Sequence, residues 1–408
     1  MGIAVVFFMT ASPPLLAAPL TFDGALALAE SSAPSLRAQD DGIESARSSA
    51  VAAGRLPDPR LFAAIENLPV SGPPRWTLDE EPMTMARVGL MQEFPNTAKR
   101  RAEKELAKAG IARAEAARAI ERQRVRRETA VAWIRRFHLE RKGALLDDLE
   151  RENRLLTENV NARIAAGEAS APDAVLPKQE AAMLAERREE LAAEIARSVA
   201  ALRRWLGEAA EAPLAGPPPS FTIEHGHLRH RLQIHPELAA FASMSAEAEA
   251  EVHAADAMKS PDWGVELAYG RRDPDFGDMV SLQVSIDLPL FPSRRQDPLI
   301  AASQARLHRI EAERETLLRE HGEELESQFA DHERLQRALR RQRDTFIPLA
   351  REKVDLTLAA YGAGEADLDA VLAARRELVE SRWRAIGLES ELAQLEARLH
   401  YDYGEEGR

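Results

Sequence analysis

The sequence predicts a mostly α-helical fold that also contains four β-strands and is built from two copies of one structural unit. Ala, Glu, Arg and Leu dominate the 408 residues and only 5% are aromatic, which is typical of long helices and coiled coils. Helical periodicity continues over stretches far longer than the helices of ordinary globular domains. A similar turn also occurs twice, as AAGEASAPDAVL from Ala165 and as GAGEADLDAVL from Gly362.

The first copy alternates long helical patterns with short strand-like ones. Thr21 suits the N-cap of its first helix, and Pro34 indicates a break inside that helix. No proline occurs between residues 96 and 164, which predicts one helix of about 70 residues, or about 100 Å. In chain order, we predict a helix over 20–55, a strand over 60–68, a proline-rich loop over 69–82, a strand over 83–94, a helix over 96–164 that Gly167 ends, and a helix over 172–206.

The second copy repeats this order. Pro59 corresponds to Pro261, Phe94 to Phe291 and Gly167 to Gly364, so the whole unit is duplicated. The predicted elements are a helix over 228–258, strands over 263–269 and 279–288, a second very long helix over 293–360, and a last helix over 367–400.

These patterns divide the chain into five expected segments. An apolar run near the N-terminus, followed by small residues, predicts a signal peptide, although no Lys or Arg precedes the run. An apolar N-terminus without a targeting role would give the same composition. The expected segments are a signal peptide over 1–18, a first repeat over 19–206, a linker over 207–227, a second repeat over 228–403 and a disordered tail over 404–408.

The strand patterns have one apolar and one polar face. Val280, Leu282 and Val284 alternate with Ser281 and Gln283, as in a half-exposed strand. This alternation fits a sheet packed on a soluble core, and it also fits a membrane β-barrel. Aromatic residues near the strand ends favour the membrane β-barrel over the soluble sheet. These residues are Phe94, Trp263, Tyr269 and Phe291. Since the smallest such barrels have about eight strands, four strands would form one sector of a shared barrel.

Composition and motifs exclude several other classes of protein. The net charge of −13 disfavours nucleic acid as a partner, because a phosphate backbone attracts basic surfaces. The chain contains no cysteine, which removes disulfides and thiolate metal sites. We find no P-loop, HExxH or GxSxG motif. We therefore expect neither an enzyme nor a bound cofactor.

The duplication and the paired turns resemble those of the TolC-like outer membrane factors, also called outer membrane efflux proteins. That family has a similar Gly-x-x-(Ser/Thr)-x-x-Asp-(Val/Leu)-Leu pattern where its helices turn. The resemblance covers nearly the whole chain after the N-terminal segment. Two further stretches, IENLP from Ile65 and QEFPNTAKRR from Gln92, resemble the heavy-metal efflux branch of the family. A general drug or solute exporter is the alternative within it.

The resemblance implies a homotrimer in the outer membrane of a Gram-negative bacterium. Three chains of four strands would form one twelve-stranded β-barrel, and the long helices would continue it as a coiled-coil barrel and periplasmic tunnel. Such a duct conducts substrates passively, here with a preference for heavy-metal cations. Its partners would be outer-membrane lipid, a periplasmic adaptor and an inner-membrane pump, expected to be of the RND type. The alternative from a different class is a soluble periplasmic coiled-coil adaptor or scaffold.

Three aspartates at the two turns are candidate pore or gate residues: Asp173, Asp367 and Asp369. In a symmetric assembly their carboxylates would form rings that attract cations, and a tight ring would raise their pKa. For Asp173 and Asp369 the alternative is a role as helix N-cap or first-turn acid, and both roles can coexist. By resemblance, Asp369 matches a gate-lining aspartate of the family. Leu372 stands where the family has a second one.

The turns themselves are the candidate docking surface for the adaptor, again by resemblance. Its candidate residues are Gly167, Glu168, Ser170, Gly364 and Glu365, and both glycines are expected in left-handed C-cap conformations.

Histidines form the one group of candidate metal ligands. His225, His227 and His230 lie close together in sequence, although exposed linker histidines would give the same pattern. The histidines of the second long hairpin are expected on helix surfaces, and they are His321, His332 and His400.

Overall fold

A computed structural model of the chain describes residues 19–167 and 170–404. The expected signal peptide and the last four residues lie outside the described part. The helices are α1 (Phe22–Ser32), α2 (Pro34–Ala52), α3 (Thr97–Ala165), α4 (Leu176–Leu206), α5 (His225–Arg231), α6 (Pro236–Ala257), α7 (Gln296–Arg341), α8 (Ile347–Gly362) and α9 (Leu368–Tyr403). The strands are β1 (Leu20–Thr21), β2 (Arg60–Glu66), β3 (Met85–Phe94), β4 (Leu214–Ala215), β5 (Trp263–Arg271) and β6 (Met279–Ile286). Among these helices, none carries an apolar stretch long enough to cross a membrane.

The predicted helix over 20–55 is two helices, separated where proline predicted a break. Ala33 is non-helical and Pro34 begins α2. The hydroxyl of Thr21 accepts a hydrogen bond of 3.1 Å from the backbone N–H of Gly24, so the predicted N-cap is confirmed.

The second very long helix is interrupted, contrary to the prediction of a continuous helix over 293–360. A π-helical turn over Gln342–Phe346 separates α7 from α8. Pro348 lies at the second position of α8 and has no backbone N–H, so a regular α-helix would leave the carbonyl of Asp344 without its donor. A wider turn accommodates this missing hydrogen bond. The interruption is also anchored, because the buried Gln342 side chain donates to the carbonyl of Ser381 at 3.0 Å.

The chain divides into two compact units, and each contains parts of both predicted repeats. Of the described residues, the first unit comprises 19–37, 121–167, 170–232 and 321–404, and the second comprises Ala38–Ile120 and Gln233–Glu320.

The first unit is built around a buried tryptophan. Trp133 is fully buried, packs edge-on against Phe22 at 5.5 Å, and donates its indole N–H to the carbonyl of Leu20 at 3.2 Å. Leu20 also begins β1, which pairs in parallel with β4. The segment expected as a linker over 207–227 therefore contains an ordered strand. Arg136 adds a second connection by donating to the carbonyl of Ala210 at 2.7 Å.

The second unit contains an antiparallel four-stranded sheet in the order β2-β3-β5-β6. Its register aligns apolar residues across the strands on one face. One such row is Leu61, Leu90, Leu267 and Leu282, whose side chains are 76%, 50%, 55% and 70% exposed. The predicted alternation is thus confirmed, and the apolar face is uncovered in a single chain.

The opposite face of the sheet is polar. Arg87 is the central cation of this face and forms ion pairs with Glu66 and with Glu266. Its side chain is largely buried between these carboxylates. The two outer strands, β2 and β6, each pair with one neighbour in the described chain, so the sheet has two open edges. Open edges with free N–H and C=O groups are sites where further strands add.

A hydrogen-bonded junction connects the sheet to the start of α3. The side-chain oxygen of Asn96 caps the helix by accepting from the N–H of Lys99 at 2.8 Å. Its amide nitrogen lies 3.1 Å from the carbonyl oxygens of both Ala257 and Ser260 and 2.9 Å from a carboxylate oxygen of Asp262. Asp262 directly precedes β5, so this junction joins the ends of α6 and β3 to the starts of β5 and α3.

Candidate functional site

The first turn lies between α3 and α4 in the first unit. Gly167 has a φ of +76° and donates its N–H to the carbonyl of Ile164 at 3.0 Å, which confirms the expected left-handed cap. Glu168 lies outside the described residues. The turn continues at Ser170 and passes through one short 3₁₀ turn over Ala171–Ala174 before α4 begins.

Asp173 is held locally by Ser170. Its carboxylate accepts hydrogen bonds from both the backbone N–H and the hydroxyl of Ser170, each 2.8 Å long. The hydroxyl bond, followed by the backbone bond, lowers the pKa of Asp173 below its ordinary value. This direction is opposite to the raised pKa expected from a tight ring of like charges. Within one chain, the hydrogen bonds that the ionised carboxylate accepts determine the direction of the pKa shift.

The second turn lies between α8 and α9 in the same unit. Gly364 has a φ of +80°, as expected, and its N–H donates to the carbonyl of Tyr361 at 3.1 Å. The N–H of Glu365 reaches back to the carbonyl of Ala360 at 2.9 Å. These reversed bonds satisfy the last carbonyls of α8, which is the usual role of a left-handed glycine cap.

Asp367 and Asp369 have different roles at the start of α9. Asp367 is the N-cap, and its carboxylate accepts from the N–H of Ala370 at 2.8 Å. The capping alternative named Asp173 and Asp369, whereas the residue that caps α9 is Asp367. Asp369 lies in the first helical turn with its side chain 69% exposed, so its carboxylate is open to solvent. Its nearest cation is Arg376, whose guanidinium lies 3.9 Å away.

Arg376 connects the second turn to α4. Besides approaching Asp369, it lies 3.6 Å from the carboxylate of Glu180. Burial raises the pKa of Glu180, and the nearby cations Arg376 and Arg187 only partly oppose this effect. This connection was not predicted. Asp369 and Arg376 are seven residues apart, which places them on one face of a helix, and this spacing could have indicated their contact. No feature of the sequence indicated the contact with Glu180.

An apolar cluster lies beneath both turns. Leu372, at the position of the family's second aspartate, is buried together with Val160 and Leu368. It therefore contributes packing to the turn region. The guanidinium of Arg163, near the end of α3, also stacks over the ring of Tyr361, near the end of α8, at 4.6 Å. The two turns thus share one packed base.

A cavity of about 420 Å³ lies among α3, α4, α8 and α9, on the helical side of this cluster. Its walls combine leucine side chains with charged ones, among them Glu180, Arg351 and Arg376. Asn153 also lines it, and its side-chain nitrogen donates to the carbonyl of Pro177 at 2.9 Å. The cavity was not predicted, because it forms between helices that are distant in sequence.

The candidate histidines lie on the short helix α5, which begins at His225. The His225 ring stacks on Phe329 at 4.0 Å, while His227 and His230 are exposed. In the described part of the chain, none of these three joins two further metal-ligating side chains at one point.

His332 differs from its expected position on a helix surface. It is buried, and its Nε2 lies 3.1 Å from the carboxylate of Glu396. Burial raises the pKa of that carboxyl, and the bond to His332 partly opposes the rise.

The family model for outer membrane efflux proteins matches residues 228–403. No curated protein matches the chain by sequence.

Several solved channel structures share the fold over nearly its whole length. CusC, described for its transmembrane channel formation, superposes with a TM-score of 0.80 at 15% identity over 95% of this chain and 93% of its own. VceC of Vibrio cholerae superposes with a TM-score of 0.75 at 20% identity over 94% and 96%. The open state of the Neisseria gonorrhoeae MtrE channel gives 0.72 at 17% identity over 98% and 95%.

The family model thus matches the second repeat, and the solved channels share the fold of the described chain. The chain is similar to the outer membrane efflux proteins in sequence over that repeat and in fold over nearly its whole length.

Proposed function

We propose that three copies of this chain form the exit duct of a tripartite efflux system in the outer membrane of a Gram-negative bacterium. The observation that carries the proposal is the sheet of the second unit. Its apolar face is exposed and its two edges are open, so one chain leaves both to be covered. Lipid covers the apolar face and strands from neighbouring copies cover the edges.

The number of copies follows from strand count together with family resemblance. Four strands are too few to close a barrel, whose smallest members have about eight. Strand count alone permits two or more copies. The resemblance to TolC-like proteins selects three, which gives twelve strands.

The duct is passive, and its energy comes from an inner-membrane pump of the RND type reached through a periplasmic adaptor. The adaptor docks on the two turns, at Gly167, Ser170, Gly364 and Glu365, together with Glu168. The shared apolar base and the left-handed glycine caps support this surface, because they fix the helix ends that carry both turns. A soluble adaptor or scaffold is disfavoured, because the family and fold matches are to channels.

The proposed cargo is heavy-metal cations. Asp369 supports this choice, since its exposed carboxylate at the second turn would form a ring in a symmetric assembly. Asp173, whose lowered pKa keeps it ionised, would add a second ring. The stretches that begin at Ile65 and Gln92 resemble the heavy-metal branch of the family, and this resemblance also supports heavy-metal cations as the cargo.

The assembly is tested by native mass spectrometry of protein extracted from the outer-membrane fraction, which should show a trimer. Leu282→Arg should prevent accumulation in that fraction, because a charge on the lipid face costs about 2–4 kcal/mol near the bilayer midplane. Gln283→Arg is the matched control, since the adjacent side chain lies on the polar face. A soluble monomer or dimer, or equal behaviour of the two variants, would refute the membrane assembly.

The cargo is tested separately in planar bilayers and in cells. Asp369→Asn should lower the permeability of cations relative to anions, whereas Asp344→Asn, an exposed aspartate away from the turns, should leave it unchanged. A strain lacking its own duct should regain metal tolerance when it expresses the wild-type chain. Recovery of drug tolerance alone would support the general exporter.

A further inference from the structure

A second cavity, of about 450 Å³, lies in the second unit where β6 leads into α7. It is separate from the two turns and has no part in the function proposed above. Its polar walls include Lys99, Asp287, Arg295 and Gln296, and its apolar walls include Leu288 and Leu299. Both charges and apolar surface thus meet in one small space.

Asp262 also lines this cavity and forms an ion pair with Lys99, whereas the other two charged wall residues have no such partner in the described chain. Lys99 lies 3.2 Å from a carboxylate oxygen of Asp262, which also accepts two hydrogen bonds from Asn96. Arg295 and Asp287 form no ion pair with any residue that the structure describes. The cavity therefore offers a guanidinium and a carboxylate to a ligand that carries both charges.

Gln296 is a buried polar residue in the wall of this cavity. Its side chain is 8% exposed, and its Oε1 receives no hydrogen bond from any residue in the described ranges. A buried acceptor without a donor is unfavourable, so this amide calls for an N–H or O–H group. A phosphodiester group has only acceptors, whereas a primary ammonium supplies three donors.

Apolar surface continues from the cavity along the chain. Leu288, Leu290 and Phe291 follow β6 and are all strongly exposed. They lie directly beyond the strand whose apolar face is the proposed lipid face. A ligand with an apolar tail would cover them.

We propose that this cavity binds the headgroup of a phospholipid that carries a primary ammonium, such as phosphatidylethanolamine. Its phosphate lies between Lys99 and Arg295, its ammonium faces Asp287 and Gln296, and its acyl chains run along Leu288 and its apolar neighbours. The inference rests on the proposed function, because a lipid reaches this cavity only when the strands lie in a membrane.

The first experiment compares lipids of identical acyl chains. Full-length protein is extracted from the outer membrane, stripped of lipid in mild detergent and titrated by native mass spectrometry. Phosphatidylethanolamine should bind about tenfold more tightly than phosphatidylglycerol or phosphatidylcholine, the difference that one charge-assisted hydrogen bond makes. Phosphatidylglycerol lacks the ammonium, and phosphatidylcholine lacks its N–H donors.

Two variants separate the two ends of the headgroup. Arg295→Gln should weaken all three phospholipids about tenfold and keep the preference for phosphatidylethanolamine. Asp287→Asn should remove that preference. Arg294→Gln is the matched control, because this neighbouring arginine does not line the cavity.

Four results would overturn the inference. They are equal binding of the three lipids, equal effects of Arg294→Gln and Arg295→Gln, displacement of the lipid by inorganic phosphate, and a change in oligomeric state of Arg295→Gln without a change in lipid binding. The third would identify a phosphate site and the fourth a contact with a second copy. Absence of the wild-type chain from the outer membrane would instead refute the proposed function.

Discussion

Replacing Asn96 with alanine should destabilise the second unit by about 3 kcal/mol. The loss of the helix cap to Lys99 accounts for about 1 kcal/mol. The side-chain nitrogen has two N–H groups for three acceptors, the carbonyls of Ala257 and Ser260 and the carboxylate of Asp262. We therefore count two further hydrogen bonds of about 1 kcal/mol each.

The assay is denaturant unfolding of the purified protein in detergent, followed by circular dichroism. Asn96→Ser should lose less, about 2 kcal/mol, because serine still caps the helix but cannot donate to the three acceptors. Asn161→Ala is the matched control at an exposed helical position and should change stability by less than about 0.5 kcal/mol.

The pH dependence provides an independent check. Burial acts to raise the pKa of Asp262, but the hydrogen bonds from Asn96 and Lys99 together outweigh it and lower the pKa. A lowered folded-state pKa means that this carboxylate stabilises the fold above its unfolded pKa of about 3.9, and that the contribution is lost as the pH falls through the folded value. The difference between wild type and Asn96→Ala should therefore shrink in acid. A difference below about 1 kcal/mol at pH 7, or one independent of pH, would refute the reasoning.

Three further predictions concern the first unit. Gly364→Ala should destabilise by about 1–2 kcal/mol because φ is +80°, whereas Gly387→Ala, inside α9 with open space around it, should stabilise by up to about 1 kcal/mol; equal denaturation midpoints for the two variants would contradict this. Arg376→Gln should lower stability by about 1 kcal/mol at pH 7, and the loss should be smaller in a Glu180→Gln background, as a double-mutant cycle would measure. Since burial raises the pKa of Glu180, its ionisation opposes folding, so the stability of the single variant should fall as the pH rises above about 4.3. Leu202→Ala removes a fully buried side chain beside Trp133 and should cost about 2–5 kcal/mol by the same unfolding measurement; a loss below about 1 kcal/mol would show that the cluster is loosely packed.

Local chemistry made much of the fold predictable. Thr21, Gly167 and Gly364 cap helices through their immediate neighbours, so a short stretch of sequence contains all the information that the cap requires. The same applies to strand alternation, which depends only on the period of two along each strand. Pro348 is a local signal of the same kind, but it was not used: the helix over 293–360 was predicted to be continuous, and that prediction was wrong.

What could not be predicted depends on contacts between distant parts of the chain. Asn96 and Asp262 are joined by direct hydrogen bonds although they lie on different repeats. The pKa of Asp173 depends on a loop conformation that turns the Ser170 hydroxyl and N–H towards one carboxylate oxygen. The burial of Glu180 depends on the packing of four helices, which no single periodicity specifies.

In the assembly proposed above, a newly made chain keeps two open sheet edges until it pairs with further copies. Until then β2 and β6 present free backbone N–H and C=O groups. Extended segments of unrelated chains can also pair with these groups. The association of copies into the proposed duct therefore competes with aggregation, and the rates of these two processes depend differently on chain concentration. A substitution that slows encounter would therefore reduce the yield of finished ducts while leaving the stability of each duct unchanged.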